Sequence, residues 1–343
     1  MQNWEKIRKN PELREKCAKC SKINELIRVF FKKRGFLEVQ TPALVRCAGQ
    51  EPYITPFDVV FRDEKNNKYK GFLITSPEYS LKKLLSGGFD KVFEIAKVFR
   101  SNESFGGLHN PEFTMLEWYR INSDYRQIMI DTEQLIYFLA KKIKHSDYLI
   151  YQGQKINLAP PWPKVTVKDL FLKYANINLD KARTTAEFKK QLKDKMYLKC
   201  RDWNDIFYLV FLNEIEPRLK KDKPLIIFDY PLPQASLAKR KNKNSFYAER
   251  FEVYIGGMEI ANAFSELLDP KEQFRRFKEE NRLRKKNKKI NIPIDKDFIH
   301  ALELQIPPSG GIALGIERLQ MIFLNIKDIN DLLIFPAKQL FLK

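Results

Sequence analysis

Between residues 13 and 33 the apolar side chains of Ile23, Leu26, Ile27, Phe30 and Phe31 recur every three or four positions. That is the period of an amphipathic helix with one face on a core, and Arg34-Gly35 supplies its stop. The pattern then changes. "FLEVQTPAL" reads as a strand with Pro42 near its end, residues 72–75 as a short strand, and Pro77 as the start of a helix, where its missing N–H costs nothing. Residues 92–99 alternate and residues 112–119 carry strand-type bulk, with a polar, glycine-containing loop at 101–108 between them; this predicts an antiparallel hairpin with a long tip.

Residues 124–144 repeat as a helix, 150–163 as a proline-bearing connection, and 166–220 as helix with breaks. "PLIIFDYP" predicts a strand. Residues 249–255 and 258–264 predict a second hairpin closed by Gly256-Gly257, Pro270–Lys286 a charged helix, and "GGIALGIERLQMIFL" a strand followed by a helix. An α+β fold built on an antiparallel sheet accommodates all of this.

Composition narrows the function classes. With 343 residues, 44% hydrophobic content and 26 phenylalanines, the chain can bury a real core in one large or two ordinary domains. No apolar run is long enough to cross a bilayer, and "MQNWEKIRKN" lacks an apolar signal core, so no membrane role and a cytoplasmic location are expected. A formal charge of +19 fits either solvated surface charge or an acidic partner, nucleic acid or protein. Much of it sits in "KRKNKN" (239–244) and "RLRKKNKK" (282–289), both expected to be exposed. Cys17 and Cys20 form a CxxC with no second pair, Cys47 and Cys200 stand alone, and there are three histidines; reduced thiols are expected rather than a zinc site.

Three stretches carry candidate chemistry. Arg100 and Glu103 lie where the first hairpin strand enters its loop, and His109 and Phe113 where the second strand begins. An arginine there can grip a phosphate and a phenylalanine can offer a flat face to a purine. In "GIALGIER", Gly311 and Gly315 permit close approach to a ligand, and Arg318 stands at the following helix start, beside Glu317. Glu252, Glu259 and Glu266 recur every seven residues across the second hairpin, and acids on apolar strands are costly unless they bind something.

Taken together, these segments resemble a known family. "KRGFLEVQTPAL" resembles motif 1 of class II aminoacyl-tRNA synthetases, "FRSNESFGGLHNPEF" motif 2 and "GIALGIER" motif 3. "TSPEY", "HNPEFTMLEWY" and "EIANAFSEL" are similar to the lysine-type catalytic core. Motif 1 begins near residue 33, so the anticodon-reading OB domain of lysyl-tRNA synthetases is not expected here. "FDYPLPQASLA" and "AERFEVYIGGMEIANAF" resemble the short members of the family that modify elongation factor P.

The resemblance implies one class II catalytic domain over 1–343, with a mostly helical insertion at about 166–220 and no anticodon-binding domain. It implies ATP and Mg²⁺, lysine or (R)-β-lysine as the activated amino acid, elongation factor P rather than tRNA as acceptor, and a homodimer formed through motif 1. Arg100 and Arg318 would be catalytic. ATP would meet Arg100, Glu103, His109, Asn110, Phe113, Glu259, Ile260, Gly315 and Arg318, with Phe113 and Arg318 on opposite faces of the adenine. Glu252 and Glu259 would hold magnesium. Ser76, Glu78, Glu117, Tyr119, Asn262 and Glu266 would form the amino-acid pocket. A truncated synthetase that charges tRNA and a non-catalytic binding module are the alternatives. The chain departs from the family pattern at three places: Arg-Ser-Asn-Glu stands for Arg-Asn-Glu in motif 2, Ala313 stands where lysyl-tRNA synthetases have glycine, and Asn262-Ala263-Phe264 stands for Asn-Gly-Phe.

Overall fold

A computed structural model describes residues 2–235 and 237–342. Its centre is an eight-stranded sheet in the order Leu37–Glu38, Lys91–Phe99, Glu112–Ile121, Ser309–Gly315, Met258–Ser265, Tyr247–Ile255, Leu225–Pro231, Lys164–Thr166. The six inner strands pair antiparallel, and the two short edge strands run parallel to their neighbours. The α+β architecture expected from the sequence is the one observed.

The first helix face forms as its period dictates. In the helix Pro11–Lys32, capped by the Asn10 side chain, the buried residues are Ile23, Leu26, Ile27, Phe30 and Phe31. Phe31 stacks on Phe93 at 4.9 Å and meets Trp118 at 5.0 Å, which fixes the helix against the first hairpin. Burying a phenylalanine stabilises by roughly 1.5–3 kcal/mol, so this face does more than helix propensity to hold the element. The chain reverses at Gly35, whose φ of 75° suits glycine. On the same side of the sheet lies the helix Tyr125–Ile143, whose first turn is capped by Asp124 through the Arg126 and Gln127 amides.

Several expected elements differ. "FLEVQTPAL" forms only the two-residue strand Leu37–Glu38 before Pro42 ends pairing. Leu44–Val45 then joins Lys68–Leu73 and Asp58–Arg62 in a separate three-stranded sheet, so the strand expected at 72–75 is the end of a longer one. The connection at 150–163 overlaps a small hairpin, Tyr148–Tyr151 with Gln154–Asn157. It turns at Gln152 and Gly153, both at positive φ. Gly256 and Gly257, at φ 61° and 84°, close the second large hairpin as expected.

Residues 166–220 form short helical pieces around a cluster of their own, with Phe171, Phe188, Trp203, Phe207 and Phe211 packed against Ile227, Tyr230 and Tyr254 of the sheet. Among the described residues no helix is long and apolar enough to cross a membrane, and no group of three or more His, Cys, Asp or Glu side chains is arranged to hold a metal. The four cysteines are free.

Candidate active site

A pocket opens on the sheet, and a cluster of buried acids lies beside it. The pocket, about 340 Å³, is lined by Arg100, Glu103, His109, Asn110, Phe113, Glu259, Ile260, Gly315 and Arg318, so the nine residues expected to meet a nucleotide come together. The first hairpin supplies one wall. Its register sets Phe99 opposite Glu112 and Val98 opposite Phe113, which leaves Arg100 at the strand's exit. The Arg100 guanidinium lies 5.0 Å from the Phe113 ring, within cation–π range, and its Nε is buried without a partner.

Arg318 supplies the facing wall. Its helix is tied to the hairpin by Glu317, whose carboxylate accepts from the Thr114 amide at 2.8 and 2.9 Å. Arg318 Nη1 donates to the Glu259 carbonyl (2.8 Å), and Nη2 lies 3.3 Å from His109 Nε2. Burial and then the Arg318 charge hold His109 below its ordinary value. In the motif 2 loop, Asn102, Gly106 and Gly107 all adopt positive φ, and Glu103 lies 3.9 Å from His109. Asn110 lines the pocket, but its amide is occupied. It donates to the Glu112 carbonyl (2.6 Å) and accepts from the Ala337 amide (3.0 Å), anchoring the hairpin to the C-terminal segment.

The two expected magnesium ligands sit in different surroundings. Glu252 Oε1 accepts from Arg250 (2.6 Å), and Oε2 accepts from the hydroxyls of Tyr230 (2.6 Å) and Tyr254 (3.0 Å). These three bonds come from neighbours that the sequence spacing did not disclose. Glu259 presents a partly free carboxylate, 3.8 Å from Arg318, and burial followed by the Glu252 charge pushes it upward. Glu252 and Glu259 thus differ in how far neighbouring side chains already engage them.

The acids form a buried cluster beside this pocket. Glu117 has no exposed surface; Ser76 Oγ donates to one oxygen (2.6 Å) and Tyr119 OH to the other (2.9 Å). Burial, then the charge of Glu78, raises it to about 8. Glu78 and Glu266 meet across a residue absent from the expected set, Lys82. Its Nζ lies 2.5 Å from Glu78 Oε1 and in direct contact with Glu266 Oε2. Burial would lower the Lys82 ammonium, and Glu266 and Glu78 more than offset this. Burial pushes the Glu266 carboxyl upward while Lys82 opposes it; with Nζ in contact, we read the two as an ion pair. Asn262 accepts from Arg250 Nε (2.9 Å) and lines the 340 Å³ pocket. A Cβ at Gly311 would run into the Tyr119 ring and come within 2.5 Å of Glu266 Oε1, so only glycine lets these residues close. Ser76 and Glu78 also border a cavity of about 820 Å³, as does Glu51, whose Oε2 is buried without a partner.

The remaining departures have structural readings. Ala313 pairs with Glu117 and Asn262 in the sheet and lines the 340 Å³ pocket, so its methyl faces the ligand space. Ala263 is wholly buried in the main core opposite Phe251, so its methyl faces away from the site. The missed residues had weak signals. Lys82 stands four positions after Glu78 on a helix, the spacing of a side-chain pair; nothing in the local pattern marks Glu51.

An antiparallel sheet that sets a hairpin arginine against a helix-start arginine across a nucleotide-sized cavity, with an acidic cluster beside it, is the architecture of a class II synthetase catalytic domain. Residues 2–339 match the family of tRNA synthetases class II (D, K and N), and the chain belongs to that family. It is 38% identical over 334 residues to a lysine–tRNA ligase of Thermoanaerobacter sp. (strain X514), covering 96% of this chain and 65% of that one. With the lysine–tRNA ligase of Pelotomaculum thermopropionicum it shares 39% over 334 residues (95% and 64%), and with that of Buchnera aphidicola subsp. Cinara cedri 42% over 320 residues (90% and 61%). The chain thus spans just under two-thirds of the length of these relatives.

Proposed function

We propose that this chain is an ATP-dependent ligase that activates lysine or (R)-β-lysine as an adenylate and transfers it to a lysine side chain of elongation factor P. The observation that carries the reading is a juxtaposition: three carboxylates, Glu78, Glu117 and Glu266, lie beside a cavity walled by Arg100, Phe113 and Arg318. A substrate with two ammonium groups needs several acids once it leaves water. The relatives' name supports lysine as the amino acid, and the Ala313 methyl supports a pocket adjusted for a different diamino acid or acceptor.

In the first step the substrate carboxylate attacks the α-phosphorus of ATP and pyrophosphate leaves. Arg100 and Arg318 offset the charge that builds on the phosphates, and catalysis is positioning and electrostatics rather than nucleophilic attack by a side chain. Mg²⁺ would arrive with ATP; Glu259 and Glu252 would be the carboxylates that hold it, and it would offset phosphate charge. In the second step the acceptor's neutral ε-amine attacks the acyl carbon, an amide forms, AMP leaves and the amine loses its proton. We further propose one catalytic domain across 1–343 with the 166–220 insertion, acting in the cytoplasm as a homodimer. Exposed Leu37 and Leu44 on the motif 1 segment support the dimer.

The test is intact-mass measurement of elongation factor P after incubation with the protein, ATP, Mg²⁺ and each lysine isomer. A mass gain of one lysyl group with one isomer is the expected result; no gain with either sinks the reading. The relatives' name favours one second reading, transfer to tRNA. Radiolabelled lysine appearing on tRNA and not on elongation factor P would establish it instead.

A further inference from the structure

Lys82 is 1% exposed, one turn after Glu78 on the helix Glu78–Ser86. Besides its two carboxylate contacts it faces the rings of Phe264, Phe298 and Tyr119, at 5.2, 5.9 and 6.0 Å. An ammonium so enclosed has given up its water, and only close carboxylates make that tolerable. The other charged groups around it come from every neighbouring element: Glu117 on the motif 2 strand, Glu266 after the second hairpin, and Glu51 and Glu280, which act on Glu78 or on each other from the adjoining loop and helix. Burial pushes Glu51 up, and it pushes Glu280 to about 8. Glu78, Glu117 and Glu266 gather on one side of the helix, with one lysine fixed between two of them.

We propose that Lys82 is a positioning residue for the substrate: a built-in ammonium held between Glu78 and Glu266 that supplies the cation these two buried carboxylates need and fixes both where a substrate's ammonium groups arrive. The inference rests on the reading of this site as a diamino-acid pocket. Without Lys82, two buried carboxylates lack a cation and take up a proton. An incoming ammonium must then displace that proton, so binding becomes more steeply pH-dependent.

The experiment is calorimetric titration of L-lysine and of norleucine, its analogue without the ε-amine, into the full chain between pH 6.5 and 8.5. Two buffers of different ionisation enthalpy count the protons released. Lys82→Met is expected to release about one more proton per lysine bound than wild type and to bind lysine about tenfold more weakly at pH 7, the effect of one pKa unit. Its preference for lysine over norleucine shrinks at pH 7 and returns as pH rises, while ATP affinity stays at the wild-type value. Lys82→Arg keeps the charge and the wild-type proton count. An unchanged proton count in Lys82→Met, or equal loss of lysine and ATP, overturns the proposal. If Lys82→Met does not fold, a folded Lys82→Arg decides alone: retention of the wild-type count and preference supports the proposal, and a changed count overturns it. Should the wild-type protein bind no diamino acid, the substrate reading itself fails and takes this inference with it, an outcome recognisable because no variant is needed to see it.

Discussion

Arg318 Nη1 donates to the Glu259 carbonyl at 2.8 Å, and the same guanidinium lies 3.8 Å from the Glu259 carboxylate. The helix-start arginine and the hairpin acid are thereby fixed to each other before any ligand arrives. An arginine already oriented loses little side-chain entropy when it meets a phosphate or a purine face, which is what preorganisation means at this position.

The first prediction follows from that relationship. Arg318→Ala should lower lysine-dependent ATP–pyrophosphate exchange by about 10²–10³-fold, the range seen when one preorganised charge-stabilising donor is removed. Arg318 is only partly buried, so the thermal midpoint should move little. Exchange at the wild-type rate would take Arg318 out of the nucleotide site.

The second concerns pH. The Glu117 carboxyl, ordinarily near 4.5, is raised to about 8 in the folded chain, first by burial and then by Glu78. A carboxyl raised in this way holds its proton longer when folded than when unfolded. Its contribution to stability is therefore present below about pH 4.5 and is lost as pH climbs through about 8. Glu117→Gln, which cannot ionise, should show a flatter fall in thermal midpoint between pH 5 and 8.5 than wild type, and should be relatively more stable at the upper end. Parallel pH curves for the two proteins would contradict this.

How much of this was legible beforehand depends on whether the signal is local. The helix face of Ile23, Phe30 and Phe31 was readable because burial imposes its period on the sequence. The strand Asp58–Arg62 was not, because it is exposed on both faces and shows no alternation. The Tyr148–Asn157 hairpin was hidden by a Gln-Gly turn in place of the commoner Asn-Gly. In the site, the arginines and acids stood out because their types are unusual on strands. The partners of Glu252 could not be read, since Tyr230 reaches it from a different strand. Lys82 was passed over because a helical lysine is ordinarily in solvent, and only the fold reveals the carboxylates that enclose it.

The third prediction tests the close packing at Gly311. Alanine there would meet the Tyr119 ring and Glu266. Overpacking of this kind costs about 1–3 kcal/mol. Gly311→Ala should lower the urea midpoint and weaken lysine-type ligands, while ATP binding persists because Gly311 lies outside the nucleotide cavity. Unchanged lysine affinity in a folded Gly311→Ala would show that Tyr119 and Glu266 do not shape the ligand's space.

The fourth concerns the acceptor and the basic run at 239–244. Ala238 bridges Glu266, and the Lys239 amide donates to the Ser265 carbonyl at 2.8 Å, so this run begins beside the acidic cluster. Lys239 and Arg240 are exposed, but Lys241 is not free: its Nζ holds Asp229 Oδ2 at 2.5 Å, and Asp229 in turn accepts from Tyr125 OH. Charge reversal should therefore be confined to Lys239 and Arg240, since altering Lys241 would disturb a structural pair. If an acidic protein docks here, the exposed charges steer its approach, and the effect fades as salt screens them over a Debye length of about 8–10 Å. The double variant Lys239→Glu, Arg240→Glu should slow lysyl transfer to elongation factor P by about tenfold at low salt, the lower end of electrostatic steering. It should leave pyrophosphate exchange intact, and its rate should converge with wild type as salt is raised. Transfer at an undiminished rate at low salt would place the docking surface elsewhere. Loss of pyrophosphate exchange in step with transfer would mean that the run supports the pocket instead of the partner.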